Sequence, residues 1–489
     1  MTNQTQDLHD ETTGRRRHVA PYPPLRLWVF WLLCLAGIVS IRLVDFFEPA
    51  VVTIVTLIFT LLALAGFLAW WCFRSPFPAF VRWLPPVLLL VTASVIPIRY
   101  ELYRTTGSLI PQFVRRGKTP DRLIEATPTV ETTLSVDIAT TSPTDFARFL
   151  GPDGNSRVLT INLNPDWKAN PPLELWRRQV GAGWSGFSVV NGFAFTMEQR
   201  GDDELVVCYE LETGRPCWSH GVEARHATVF GALGPRSTPT IADGKVYAMG
   251  ATGILRCLDG ATGEPVWQRD LFADYNMDET TAEKAVAWGR SNSPLVFNGR
   301  LYIPIGGPRD GSCVSLLCLN AESGETIWEG GDYQASYASP VLMNLAGEEQ
   351  IVMVNEGFVT GHELETGEIL WEHEWSGRSD MNANVSQPHQ VGDDSVFLSK
   401  GYAKGAELIT LIPDDEDLWE VEVVWAKRVM KTKFSNAAIK DGYAYGLDDG
   451  TLSCVSVETD QEYLAVFVQS LFPLSLAGFD ANTTQCAIV

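Results

Sequence analysis

Histidine is scarce in this chain and cysteine is disorganised. There are 7 His and 9 Cys among 489 residues, with no H-E-x-x-H string and no metal-type C-x-x-C spacing. Neither a zinc site of familiar spacing nor a disulfide framework is expected, since an odd cysteine is left over and Cys34 and Cys72 lie in apolar stretches. G-x-x-x-x-G-K-[ST] and G-x-S-x-G are also missing, which removes the common phosphate-loop and serine-hydrolase readings. Positive charge is in short supply too, with 37 Lys/Arg against 59 Asp/Glu and a net charge of −22. The deficit is uneven: residues 1–118 carry 12 Lys/Arg and 6 Asp/Glu, a net of +6, leaving −28 for the remainder. So acidic a part repels phosphate backbones, and no nucleic-acid partner is expected.

The N-terminal fifth has what the rest lacks, long apolar runs. Fifteen uncharged residues lie between Arg26 and Arg42, and 25 from Pro49 to Phe73. About 20 apolar residues cross a hydrocarbon core, so the second run is a transmembrane helix, and the first is completed if its flanking arginines reach the interface. A third candidate, Trp83 to Ile98, is interrupted by Pro85, Pro86 and Pro97. A cleaved signal peptide would replace the first span, but the late start and lack of an A-x-A-like site favour a retained anchor. Arg15, Arg16, Arg17 and Arg26 before the first run, and Arg74 and Arg82 after the second, belong on the cytoplasmic side. Three spans carry the C-terminal part of the chain to the outer side of the inner membrane, into the periplasm, and two keep it inside. The basic run Arg99, Arg104, Arg115, Arg116 and Lys118 weighs against the third span.

The expected organisation is a basic cytoplasmic N-terminus at 1–25, a membrane anchor at 26–99, a Thr/Pro-rich linker at 100–144, a repeat domain at 145–460 and an atypical tail at 461–489. The repeat carries the fold. CYELETGRPCW (Cys208 to Trp218), CLDGATGEPVW (Cys257 to Trp267), CLNAESGETIW (Cys318 to Trp328) and GHELETGEILW (Gly361 to Trp371) align without gaps as x-x-[DEN]-x-x-[TS]-G-x-x-x-W. The tryptophans are 49, 61 and 43 residues apart, a spacing that suits one four-stranded sheet per repeat. Short alternating strands broken at Asp-Gly, Asn-Gly and Gly-Asp precede each motif. Opening copies at 184–201 and 434–459, and a divergent unit ending near Trp425, bring the count to six.

The motif has a physical reading. Gly214, Gly263, Gly324 and Gly367 make the tight turn, and Glu210, Asp259, Asn320 and Glu363 can bond backbone amides around it. Trp218, Trp267, Trp328 and Trp371 each offer a flat face and one N–H to a neighbouring sheet. Sheets that cannot bury both faces alone stack in a ring, so the fold class is an all-β propeller of about 6–8 blades preceded by transmembrane α-helices. Cys208, Cys257, Cys318 and Cys454 fall in one column, five residues before the turn Thr/Ser, which marks them as buried strand residues. Cys217 lies across the turn from Cys208 and is a candidate partner for it.

These motifs resemble the tryptophan-docking repeats of pyrroloquinoline-quinone (PQQ) propellers, shared by quinoprotein alcohol dehydrogenases and an outer-membrane assembly lipoprotein. The resemblance covers roughly residues 145–460, and RFLGPDGN (Arg148 to Asn155) resembles the opening segment of PQQ-like proteins of planctomycete-type bacteria. For the dehydrogenases it implies a central pocket for PQQ, a Ca²⁺ held by oxygens and a carboxylate base. The adjacent cysteines of many alcohol-oxidising members and the C-x-x-C-H haem site of others do not occur here. No catalytic residue or metal ligand transfers onto this sequence.

The start of each innermost strand is the other place for a site. Ser237-Thr238, Asn292-Ser293, Ala338-Ser339, Ser386-Gln387 and Ser435-Asn436 are equivalent, with Arg225, His226, Arg236, Arg290, Lys431 and Lys433 nearby. Arg236, Arg290, Asn292, Ser386, Lys433 and Asn436 are the candidates for holding an anionic ligand, a quinone carboxylate included. The competing reading is that they satisfy strand ends. After Cys454 the pattern stops, with Asp460 in the glycine column and Leu464 in the tryptophan column. Either an N-terminal strand completes the last blade or the frame is truncated or shifted near residue 460. The expected function is a membrane-anchored, non-catalytic module that binds a protein or peptide at the cell envelope. The alternative is a PQQ- and Ca²⁺-dependent dehydrogenase of alcohols or sugars.

Overall fold

The computed structural model describes residues 25–43, 49–105, 110–118, 135–161, 164, 166–228, 231–377, 383–414, 418–459, 462–467 and 486–488. The contacts divide the chain into two units, one ending near residue 101 and one holding nearly all of the remainder.

The first unit is helical. Its elements are α1 (Leu25–Leu43), α2 (Pro49–Arg74) and α3 (Ala79–Arg99). Val51–Arg74 and Ala79–Arg99 are each long and apolar enough to cross a membrane, and Arg26–Ile41 is a shorter apolar helix. Pro85 and Pro86 fall in the second turn of α3, and the carbonyls they leave free, Val81 O and Arg82 O, accept from Trp71 Nε1 at 3.2 Å and Cys72 Sγ at 3.5 Å. Antiparallel α1 and α2 approach closely where glycine faces an aromatic ring, Gly37 against Phe59 and Gly66 against Phe30. The large apolar side chains face outward: Leu33 is 65% and Leu90 is 68% exposed. Water penalises such a surface and a bilayer does not.

The second unit is a β-propeller. Six four-stranded antiparallel sheets succeed one another among the described residues, each with strands in chain order. Blade 1 spans Ser188–Val190, Phe193–Arg200, Asp203–Glu210 and Pro216–Glu223. Blade 2 spans Thr240–Ala242, Lys245–Met249, Ile254–Asp259 and Pro265–Asp270. Blade 3 spans Leu295–Phe297, Arg300–Ile303, Leu316–Asn320 and Thr326–Gly330. Blade 4 spans Val341–Leu345, Glu348–Val354, Phe358–Glu363 and Ile369–Glu374. Blade 5 spans His389–Val391, Ser395–Lys400, Gly405–Ile412 and Glu420–Lys427. Blade 6 spans Ala438–Lys440, Tyr443–Asp448, Thr451–Ser456 and Glu462–Phe467. First strands of neighbouring blades touch, so they line the channel. The polar insertion between blades 2 and 3 folds as α4 (Leu271–Asp274) and α5 (Glu279–Ala285), capped by the carboxylates of Asp270 and Asp278.

The repeated motif does in space what its residue types suggest. In all six blades the cysteine column faces the tryptophan column across the third and fourth strands, with a β-bulge immediately after it. Cys208, Cys257, Cys318 and Cys454 are buried there as free thiols, and Cys217 is also free. Asp259 Oδ1 accepts from the amides of Ala261 and Thr262, and Asn320 and Glu363 repeat the arrangement. The indole N–H of Trp218 donates to Gly260 O (2.9 Å), that of Trp267 to Ala321 O (3.0 Å) and that of Trp328 to Leu364 O (3.1 Å), each in the next blade. Each ring lies on that blade's turn glycine: a Cβ on Gly263, Gly324 or Gly367 would stand within 3.0 Å of indole carbon.

Trp371 departs from this pattern. Blade 5 reads IPDDEDLW where the Thr-Gly turn should be, so Trp371 has no glycine to cover. Its N–H donates instead to Gln350 Oε1 of its own blade at 2.6 Å, and it packs in a cluster with Trp375 and Trp419. At the start of the ring Trp176, which no motif singles out in the sequence, takes the docking role. It donates to Leu211 O at 2.8 Å and covers Gly214. Strand Arg177–Gln179, just after it, pairs antiparallel with Cys486–Ile488. Asp460 lies outside the described residues.

Candidate functional site: the channel

The second residues of the five aligned pairs form a belt from blade to blade. Gly186 N–H donates to Thr238 Oγ1 (3.1 Å), Thr238 N–H to Ser293 Oγ (2.9 Å) and Ser293 N–H to Ser339 Oγ (2.8 Å). The series continues from Ser339 N–H to Gln387 Oε1 (2.7 Å) and from Gln387 N–H to Asn436 Oδ1 (2.6 Å). Buried amides on the inner edge of a sheet need acceptors, and each blade supplies one to the blade before it. Asn292 Nδ2 likewise donates to Ser336 O (3.1 Å) and Ala338 O (2.5 Å). The Ser386 hydroxyl donates to Ser435 O at 2.9 Å. Asn292, Ser386 and Asn436 therefore serve as ties between blades.

The cations at this end are also engaged. Arg236 donates to the carbonyls of Gly231, Ala232 and Gly234, and burial lowers its pKa to about 10 against the pull of Tyr337 and Glu204. Arg290 is 1% exposed, donates to Pro304 O and Ile305 O, and lies 5.3 Å from the centre of the Phe272 ring. Its pKa is likewise brought down to about 10 by burial. Lys433 Nζ stands 4.8 Å from the Tyr402 ring centre, and Lys431 pairs with Asp448 and Asp449. His226 is held near a pKa of about 4 by burial and by Arg236.

Lys400 had no signal in the sequence, since it ends an ordinary strand. Its side chain is 2% exposed, its Nζ has no hydrogen-bond partner among the described residues, and burial lowers its pKa to about 8. Glu356 opposes that shift, but Arg309 holds its carboxylate through both oxygens at 2.7 and 2.8 Å.

From the opposite end as far as the belt, the channel is filled by the chain itself. Phe146 exchanges two backbone hydrogen bonds with Val189 on the first strand of blade 1 (2.7 and 2.9 Å), and Ala147 O accepts from Ile241 of blade 2. Asp145 Oδ1 accepts from Asn191 N–H, in the first turn of blade 1. Arg148 to Gly154 then continue to the first strands of blades 3 to 5. They line with Ser293, Ser339 and Gln387 a pocket of about 20 Å³, too small for more than a water. Leu150 takes a left-handed φ of 62° to make this turn. Upstream of residue 145, Val136 and Ile138 are buried in the core of blades 1 and 2.

The PQQ_2 family model, described as outer membrane protein assembly factor BamB, matches residues 173–287 and 202–464, more than half of the chain. The chain belongs to this family. Among curated relatives of the PQQ_2 propeller, the dehydrogenase subunit of the quinone alcohol dehydrogenase of Komagataeibacter europaeus is 26% identical over 184 residues, 35% of this chain and 23% of that one. Outer membrane protein assembly factor BamB of Yersinia pestis is 26% identical over 188 residues, 38% of each chain. Against solved structures, BamB from Moraxella catarrhalis aligns with a TM-score of 0.36 at 18% identity, covering 56% of this chain and 83% of that one. The chain thus spans about a quarter of the dehydrogenase subunit and under two fifths of the Yersinia protein.

A Ca²⁺-held quinone calls for carboxylate oxygens at the channel mouth and an acid free to take a proton. Acids described at this end are committed: Glu356 to Arg309, Asp448 and Asp449 to Lys431, and the fully buried Glu204 to Arg256 Nη2 at 2.8 Å. Among the described residues no three His, Cys, Asp or Glu side chains form a metal-binding group. The described residues at this end do not assemble that set, and no reaction step is derived through it.

Proposed function

We propose that this PQQ_2 propeller is a non-catalytic binding module, anchored in the inner membrane with its blades in the periplasm, that holds a segment of another envelope protein. One observation carries the reading: the polar ring at the channel mouth is spent on tying blades together while large aromatics stand exposed beside it. Trp184 is 53% and Phe434 is 65% exposed, both on connections leading into a first strand, hence at the same end of the propeller. The Trp184 amide is fixed to Pro235 O at 2.7 Å, next to Arg236. Exposed aromatics on a rigid frame are the residues from which interface anchors are made. The other end is occupied by Phe146 to Gly154, so a partner has the Trp184–Phe434 end to use. The match to a family described by an outer membrane assembly factor supports an envelope protein as that partner.

The test is a photo-crosslinking amino acid placed at Trp184 or Phe434 in the full chain, in cells. A discrete protein adduct from both positions, missing from the same probe at Glu325 in an outer turn, is expected. Equal labelling at all three would overturn the reading. The quinoprotein relatives keep a second reading in play, PQQ-dependent oxidation of alcohols or sugars. Titration with PQQ and Ca²⁺ separates the two, because saturation at one equivalent with dye-linked oxidation would establish the enzyme.

A further inference from the structure

The helical unit carries an open apolar groove that neither the propeller nor its partner explains. Between the first turn of α1 and the last turns of α2 lies an open groove of about 420 Å³. Its wall is Leu27, Gly66, Trp70 and Phe73, and its rim is Arg26 and Arg74. Gly66 lets the Phe30 ring of α1 cross close against α2, and Trp31 Nε1 donates to Ala63 O at 3.2 Å one turn earlier, holding the two helices together beside the groove. Two guanidinium groups thus share one apolar cleft, and no carboxylate lines it. Like charges brought together without an acid are stabilised by an anion, and guanidinium matches phosphate with paired N–H donors.

We infer that this cleft is a binding site for an anionic phospholipid, with Arg26 and Arg74 on the headgroup phosphate and Trp70, Phe73 and Leu27 along the first part of an acyl chain. The apolar wall selects lipid over free phosphate, because an inorganic ion would leave it bare. The end of the unit agrees as well. Arg26, Arg74 and Arg82 mark it as cytoplasmic, and the cytoplasmic leaflet is where anionic lipid concentrates. The inference rests on the proposal that α1 to α3 cross the bilayer.

The full chain is extracted from membranes in polymer-bounded native discs, and its bound lipid is counted by native mass spectrometry. The wild type should retain one phosphatidylglycerol-class lipid per chain through delipidating activation. R26Q/R74Q should lose it at least fivefold, and R26K/R74K should retain an intermediate amount. R99Q, altered at the opposite end of the bundle, should match the wild type. Flotation of each variant with membranes is measured in parallel. A chain that does not float overturns the anchor and the lipid site together. A chain that floats but holds phosphatidylglycerol equally well in R26Q/R74Q overturns the lipid site alone. Retention of phosphatidylethanolamine at the same level, or displacement by 50 mM inorganic phosphate, does so too.

Discussion

At Gly263 two demands fall on one residue: φ is +76°, and a Cβ would stand 2.6 Å from Cε3 of Trp218. Gly299 has a similar φ of +74° with nothing within 4 Å of the same point. The pair separates backbone strain from blade docking. Gly299→Ala should cost about 1 kcal/mol for the left-handed conformation alone, and Gly263→Ala about 2 kcal/mol more because the indole must shift. Urea unfolding of the two variants measures the difference, and equal costs would mean that the tryptophan yields freely. Buried histidines act at the same scale. His362 is fully buried and His389 is 3% exposed, and burial lowers both pKa values from 6.5 to about 4. Below pH 6.5 the unfolded chain gains protons that the folded chain refuses, so stability is full above pH 6.5 and falls as pH drops towards 4. Each histidine contributes about 3 kcal/mol of that loss. His389 Nε2 has no hydrogen-bond partner among the described residues, so His389→Leu should flatten the dependence between pH 7 and 4.5 by close to one proton in urea unfolding. The docking role of Gly263 was legible in the sequence because a motif repeats it. The burial of His389 was not, because nothing in its neighbours distinguishes an inward strand position at a ring.

Blades were the most legible elements, since a turn glycine, an amide-binding acid and a tryptophan recur at fixed offsets. Trp176 escaped because no turn motif precedes it; its only signal is LELW, matching the EILW that ends blade 4. The belt was half legible. Hydroxyls and amides at equivalent strand starts were visible as a set, but whether they faced a ligand or the next blade depended on the spacing of neighbouring first strands. Ser339 tests their role. Its hydroxyl is the acceptor for the Ser293 amide, so Ser339→Ala leaves a buried N–H unpaired, at about 1–3 kcal/mol. Hydrogen exchange should show the Ser293 amide losing protection by about tenfold or more while the amides of blade 1 keep theirs. Ser323→Ala, in an exposed turn, should change stability by less than about 0.5 kcal/mol. An unchanged Ser293 amide would mean that the belt closes without the hydroxyl.

For the whole molecule, the question sequence left open was which side of the membrane the blades occupy, because three crossings and two give opposite answers. α3 runs unbroken through Pro85 and Pro86, so Ala79–Arg99 is one apolar helix of crossing length like Val51–Arg74, while Arg26–Ile41 is shorter. Three crossings, as proposed above, would place the N-terminus and the propeller on opposite sides, with the basic residues before α1 on the cytoplasmic side. The cysteine column makes this measurable, since Cys208, Cys257, Cys318 and Cys454 are buried and Cys313 is partly exposed. In a Cys313→Ser/Cys486→Ser background, Glu325→Cys lies in an exposed outer turn. A membrane-impermeant maleimide added to intact spheroplasts should label Glu325→Cys at the level seen after lysis, while an N-terminal epitope stays protected from added protease. Labelling that appears only on lysis would put the blades in the cytoplasm, which requires that one apolar helix does not cross and withdraws an envelope partner from reach of Trp184 and Phe434.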